Sequence, residues 1–143
     1  MRICGVELTG SDAVISLLGL EFGQFNVPDC RVRKLTLKKG YQREDLQQFQ
    51  FSFSQLMKDY GVDQVVIKER MTKGKFAGGA VSFKLESAIQ LLDEVDVRLL
   101  SPTQIKATVS EHPLPIMFSE TGLKGFQEAA FTSAYVAHIL QQA

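Results

Sequence analysis

Arg2-Ile3-Cys4-Gly5-Val6-Glu7-Leu8, then Thr9-Gly10-Ser11-Asp12, then Ala13-Val14-Ile15-Ser16-Leu17-Leu18-Gly19-Leu20 follow one another near the start of the chain. The outer runs are β-rich, and the four residues between them supply one glycine and three short polar side chains, the composition of a tight turn. Two antiparallel strands result. After a connection over Gly23 to Asp29, the run Cys30-Arg31-Val32-Arg33-Lys34-Leu35-Thr36-Leu37 sets apolar Val32 between two basic residues. That alternation predicts a third strand with one wet face.

The period then changes. Leu46, Phe49, Phe53, Leu56, Met57 and Tyr60 recur at intervals of three and four, predicting a helix over about 43–60 that Gly61 ends. Val65-Val66-Ile67 is an unbroken branched run, as in a central strand covered on both faces, with Glu69 just beyond it. The glycine- and lysine-rich stretch 71–79 leads into a helix striped by Val81, Leu85, Ala88, Ile89 and Leu92. Val97 to Leu100 is a short strand, and Ser101-Pro102-Thr103-Gln104 reads as an N-cap, a proline at N1 and a capping-box glutamine. His112-Pro113-Leu114-Pro115 stops that helix, and a last one runs from Leu123 to about Gln141, with small residues where it meets the core. Under the right-handed crossover rule this order predicts an α/β fold. It is a five-stranded mixed sheet ordered 3-2-1-4-5 with helices on both faces.

The 143 residues and 45% hydrophobic content suit one domain, 1–143, around one core. Sixteen basic and sixteen acidic side chains cancel, so an anionic ligand has to be held by local rather than overall charge. No leader or membrane-spanning run is read at the N-terminus or elsewhere, and a cytoplasmic location is expected. Cys4 and Cys30 fit neither a disulfide framework nor a zinc motif and read as buried thiols. His112 and His138 are too few and too separate for zinc, and His138 is placed at the surface or a partner face. Phe49 and Phe53 belong to the core, leaving Phe51 near the surface.

Three acids stand out: Glu7 in Gly5-Val6-Glu7-Leu8-Thr9-Gly10, Glu69 in Val66-Ile67-Lys68-Glu69-Arg70, and Glu128 in Glu128-Ala129-Ala130-Phe131-Thr132-Ser133-Ala134. With the element order, these resemble the motifs of the ribonuclease H-like superfamily, and within it the RuvC type of Holliday-junction resolvase. The whole chain is also similar to the domain-of-unknown-function family 3010, which carries no established activity. The RuvC resemblance implies a metal-dependent nuclease for structured DNA or RNA, with Glu7, Glu69 and Glu128 as catalytic residues and ligands to Mg2+ or Mn2+. It also implies a homodimer. Two departures are visible: a glutamate stands where such enzymes carry aspartate in the first motif, and Phe131 where a second helix acid would be.

Two-metal cleavage of a phosphodiester needs carboxylates at rigid positions around hard cations. Glu7 would bridge the ions, but its extra methylene approaches the roughly 1 Å misplacement that costs about a hundredfold in rate. Asp12 is a further candidate ligand, with turn capping as its other role. The plainer reading pairs Glu7 with a nearby cation and Glu69 with Lys68 or Arg70, leaving Glu128 in water. Against it, Glu7 ends an otherwise apolar strand, where an unpaired charge is costly. Arg70, Lys73, Lys75 and Lys84, with Thr9 and Ser11, are the candidate substrate contacts, while a solvated face and a mobile loop are the bland alternative. A second basic cluster comprises Arg31, Arg33, Lys34, Lys38, Lys39 and Arg43. No P-loop spacing is present. Three functions follow: a nuclease, a non-cleaving module that binds nucleic acid or protein, and an actin-like ATPase lobe. The last is disfavoured because such proteins use two lobes.

Overall fold

The opening hairpin forms: β1 (Arg2–Thr9) runs antiparallel to β2 (Asp12–Glu21), from Arg2 opposite Gly19 to Thr9 opposite Asp12. Gly10 takes the left-handed φ of +59° at the tip, a conformation glycine adopts without strain. The computed structural model describes residues 1–38, 42–74 and 78–142. The elements that follow are β3 (Gln24–Asn26), β4 (Lys34–Thr36), α1 (Arg43–Asp59), β5 (Gln64–Lys68), α2 (Ala80–Gln90), β6 (Asp96–Leu100), α3 (Pro102–Glu111) and α4 (Glu128–Gln142). β5 is parallel to β1 and β6 to β5, so the sheet reads β3-β2-β1-β5-β6, with β4 also paired to β2.

The mixed α/β sheet matches the expected class, but its outer edge does not match the expected strand count. Only β4 forms within the strand expected over 30–37, and β3 forms in the stretch expected as a connection, which makes six strands among the described residues. The register that pairs Gly19 with Asn26 would bring Pro28 opposite Leu17, and proline has no N–H to continue a ladder. The chain leaves the sheet there and returns at Lys34, opposite Val14.

Side-chain alternation divides the sheet into two faces. Cys4, Val6, Leu8, Ile15, Leu17, Val65 and Ile67 pack with Phe49, Phe53, Leu56 and Met57 of α1 and Leu85 and Ile89 of α2. The fully buried Phe53 alone contributes about 1.5–3 kcal/mol through burial. Ile3, Leu18, Val66 and Leu100 pack with Phe131, Ala134, Tyr135, Val136 and Ala137, all from α4. The expected end of α1 and start of α3 hold, whereas α4 begins at Glu128 rather than at Leu123, after a 3-10 turn over Gly125–Gln127. Gly61 has φ +60° just after α1, and Ser101 Oγ accepts the Gln104 N–H at 3.1 Å.

Two α4 side chains are tied into the core. Tyr135 is buried, and its hydroxyl reaches the carbonyls of His112 and Pro113 at 2.9 and 3.1 Å. His138, expected at the surface, is 1% exposed with Nε2 at 2.7 Å from the Leu18 carbonyl. Burial pushes its pKa below the ordinary 6.5, the carbonyl hydrogen bond opposes that shift, and the chain's amino terminus adds to it. The folded state therefore keeps the ring neutral while the unfolded chain protonates near pH 6.5. Stability is complete above that pH and falls as pH drops through it, at no more than about 1.4 kcal/mol per pH unit. Denaturant midpoints should decrease between pH 7.5 and 5.5, and His138→Gln should flatten the decrease. Equal pH slopes in the two proteins would assign the effect to other groups.

Candidate functional site

β1 and β5 end at the same edge of the sheet, and α4 begins there. α4 runs opposite to β1: Gln127 Nε2 donates to the Ile15 carbonyl at 2.8 Å, and His138 sits at Leu18. Ile15 faces Val6 across the hairpin, whereas Leu18 faces Ile3. Gly5 makes the close packing feasible, because a β-carbon there would lie 1.8 Å from the Ala130 carbonyl oxygen. Glu7, one alternation beyond Gly5, and Glu128, two residues before Ala130, therefore share a face and an end. Glu7 is half-buried and Glu128 exposed. Among the described residues neither side chain has a hydrogen-bond or ion-pair partner.

Glu69 belongs to the other face. Gln64 meets Gln141 of α4 at 3.2 Å, and Val66 packs in the α4 core. Val65 and Ile67 pack under α1 and α2. The ladder continues one residue past β5, where the Glu69 N–H donates to the Leu100 carbonyl at 2.8 Å. Alternation thus sets Lys68 on the face of Glu7, and Glu69 with Ile67. Among the described residues no group of three or more His, Cys, Asp or Glu side chains is placed to hold a metal ion. With Glu69 across the sheet from Glu7 and Glu128, the described residues do not fit a two-metal centre.

The other candidates fall into three groups. Thr9 is exposed beside the turn, and the Ser11 carbonyl accepts the Leu37 N–H at 2.8 Å. Asp12 accepts from Thr36 Oγ1 at 2.5 Å and faces Lys34 Nζ at 3.7 Å, tying the hairpin to β4. Arg70 is held inside the protein: Nε donates to Ser82 Oγ at 3.1 Å, Nη2 pairs with Glu86 at 3.3 Å, and the guanidinium lies 4.5 Å from the Phe83 ring centroid. It anchors the chain leaving β5 onto α2. Lys73 is exposed in the following loop, which the Gly78 N–H closes on the Met71 carbonyl at 2.8 Å. Lys75 lies outside the described residues. Lys84 lines a groove of about 720 Å³ between α1 and α2, away from Glu7.

The family model "Protein of unknown function (DUF3010)" matches residues 1–137. The chain belongs to the DUF3010 family. Among solved structures, this DUF3010 protein resembles Thermus thermophilus RuvC with a TM-score of 0.74 at 12% identity, covering 99% of this chain and 96% of that one. T. thermophilus RuvC in complex with Holliday junction substrate matches with a TM-score of 0.69 at 13% identity over the same shares. At such identities the likeness shows the fold, which is ribonuclease H-like. No curated protein matches this DUF3010 chain. No helix among the described residues is long and apolar enough to cross a membrane.

Proposed function

We propose that this DUF3010 protein is a RuvC-like module that binds structured nucleic acid at the carboxyl ends of β1 and β5 without an assembled two-metal centre. The observation that supports this reading is the strand register, which gives Lys68 rather than Glu69 to the face holding Glu7 and Glu128. A cation at that position suits phosphate more than a divalent ion. Thr9, Ser11, Lys68 and Lys73 would line the contact, and Arg70 would position the loop carrying Lys73. The likeness to RuvC bound to a Holliday junction makes a four-way DNA junction the natural probe.

The test is fluorescence anisotropy with a labelled junction across a salt series. Binding should weaken steeply with salt, and Lys73→Ala should lower the log–log slope by about one. Two copies on one symmetric junction would appear in the same titration as a two-to-one stoichiometry. Mn2+ should leave the melting temperature unchanged and the junction uncut. The fold also favours a second reading, cleavage by Mg2+ or Mn2+ held on Glu7, Glu69 and Glu128. That reading prevails if Mn2+ raises the melting temperature and both Glu7→Gln and Glu69→Gln abolish the rise. Absence of binding to junction, duplex and single strand at low salt would overturn both.

A further inference from the structure

The outer edge of β2 has a gap. β3 covers Gly19 to Glu21, and β4 covers Asp12 to Val14. Ile15 turns its backbone groups to this edge, its N–H meeting the Arg33 carbonyl at 3.0 Å and its carbonyl meeting Gln127. Leu17, two residues on, turns its N–H and carbonyl the same way, but Pro28 is the residue that would stand opposite. No partner for either group is found among the described residues. A cavity of about 280 Å³ opens at the gap, with Ser16, Leu17, Asp29, Arg33, Thr121 and Gln127 in its lining.

The Ser16 hydroxyl is the deciding feature. Ser16 is 2% exposed, yet Oγ has no hydrogen-bond partner among the described residues, a condition that costs free energy until something in the cavity supplies one. Gln127 is already engaged at both ends, with the Ile15 carbonyl and the Lys124 N–H. Thr121 Oγ1 is occupied by the Phe118 carbonyl and the Leu123 N–H. The groups left over include the Ser16 hydroxyl, both backbone groups of Leu17, the free thiol of Cys30, and the exposed residues Asp29 and Arg33, which form no ion pair among the described residues.

This remainder has one cation, one anion, a backbone donor, a backbone acceptor and a hydroxyl, with the weakly polar Cys30 thiol beside them. A simple anion would satisfy Arg33 and the Leu17 N–H while being repelled by Asp29, and a cation would do the reverse. A compact zwitterion uses both halves. We propose that the cavity binds a free α-amino acid, its carboxylate toward Arg33 and the Leu17 N–H, its ammonium toward Asp29 and the Leu17 carbonyl. Ser16 Oγ makes a further hydrogen bond to it, and Val27 and Leu123 offer an apolar wall to a small side chain. The site lies on the opposite side of β2 from β1, so it is independent of the nucleic-acid reading.

The test is thermal denaturation of the full chain with each common L-amino acid at about 10 mM, a concentration that detects millimolar affinity. At least one should raise the melting temperature saturably by about 3 °C. Its carboxamide and its deaminated acid should each lose the shift. Arg33→Gln and Asp29→Asn should weaken binding at least about tenfold. Ser16→Ala deletes the orphan hydroxyl, so without ligand it should melt no lower than the wild type while binding about fivefold more weakly. A merely structural serine would not give that combination. The proposal is overturned if no amino acid gives a saturable shift, or if the deaminated acid binds as well as its parent. A shift that survives Arg33→Gln overturns it too.

Discussion

Gly5→Ala is expected to lower the melting temperature by roughly 10 °C, corresponding to a loss of about 3 kcal/mol or more. The atoms a β-carbon would meet are the Ala130 carbonyl oxygen at 1.8 Å, its carbon at 2.9 Å and the Ala134 nitrogen at 3.0 Å. All belong to the α4 backbone, so no flexible side chain can turn aside. The whole helix has to lift from β1, opening the contacts of Phe131, Ala134 and Ala137 with Ile3 and Val66. Gly10→Ala is the matched control, because its φ of +59° is strained for alanine but nothing among the described residues lies within 4 Å. It should cost only about 1–2 kcal/mol. Calorimetry on the two variants separates steric exclusion from backbone strain. Equal, small losses would mean that α4 does not sit this close to the sheet. The same variant bears on function, since lifting α4 carries Glu128 away from Glu7.

The features that were legible in the sequence are those a local rule encodes. Thr9-Gly10-Ser11-Asp12 announces the hairpin, and the spacing of Phe49, Phe53 and Leu56 announces α1. Ser101-Pro102 marks where α3 begins, as the hydrogen bond to Gln104 bears out. The small residues expected where the last helix meets the core are Ala130, Ser133, Ala134 and Ala137, all buried. The missed features depend on partners distant in sequence. Val32 and Leu35 alternate with basic residues well enough to suggest one strand, but only the register with β2 shows that Pro28 interrupts the outer edge. His138 looks like a surface residue until the Leu18 carbonyl comes to meet it. The candidate site turned on a subtler point. Val65, Val66 and Ile67 are apolar on both faces, so the run carries no mark of which parity faces α4, and Lys68 and Glu69 compete for the same role one residue apart. Gln64, bonded to Gln141, is the residue that settles the parity.

Lys68→Glu is accordingly expected to create a response to Mn2+ that the wild type lacks. With lysine in place, the α4 face of this edge carries Glu7 and Glu128 beside an ammonium that repels a divalent ion, while Glu69 lies across the sheet. The substitution changes the charge of that face by two and adds a third carboxylate to it. Three oxygen donors from a strand end, a neighbouring strand end and a helix start are the kind of set that Mg2+ and Mn2+ require. At an ion concentration about a hundredfold above the dissociation constant, the gain in stability is about 2.7 kcal/mol, or roughly 5–10 °C in melting temperature. Adding Glu7→Gln should remove the gain, and the junction should bind Lys68→Glu more weakly because a phosphate contact has become a repulsion. Lys68 is half-buried at the end of β5 and forms no ion pair among the described residues, so its reversal leaves the folding contacts in place. A folded Lys68→Glu protein indifferent to Mn2+ would show that this side chain does not share the face of Glu7. A wild type that already responds, and stops responding when Glu69 becomes glutamine, would show that the chain turns over beyond Lys68 and brings the three acids together.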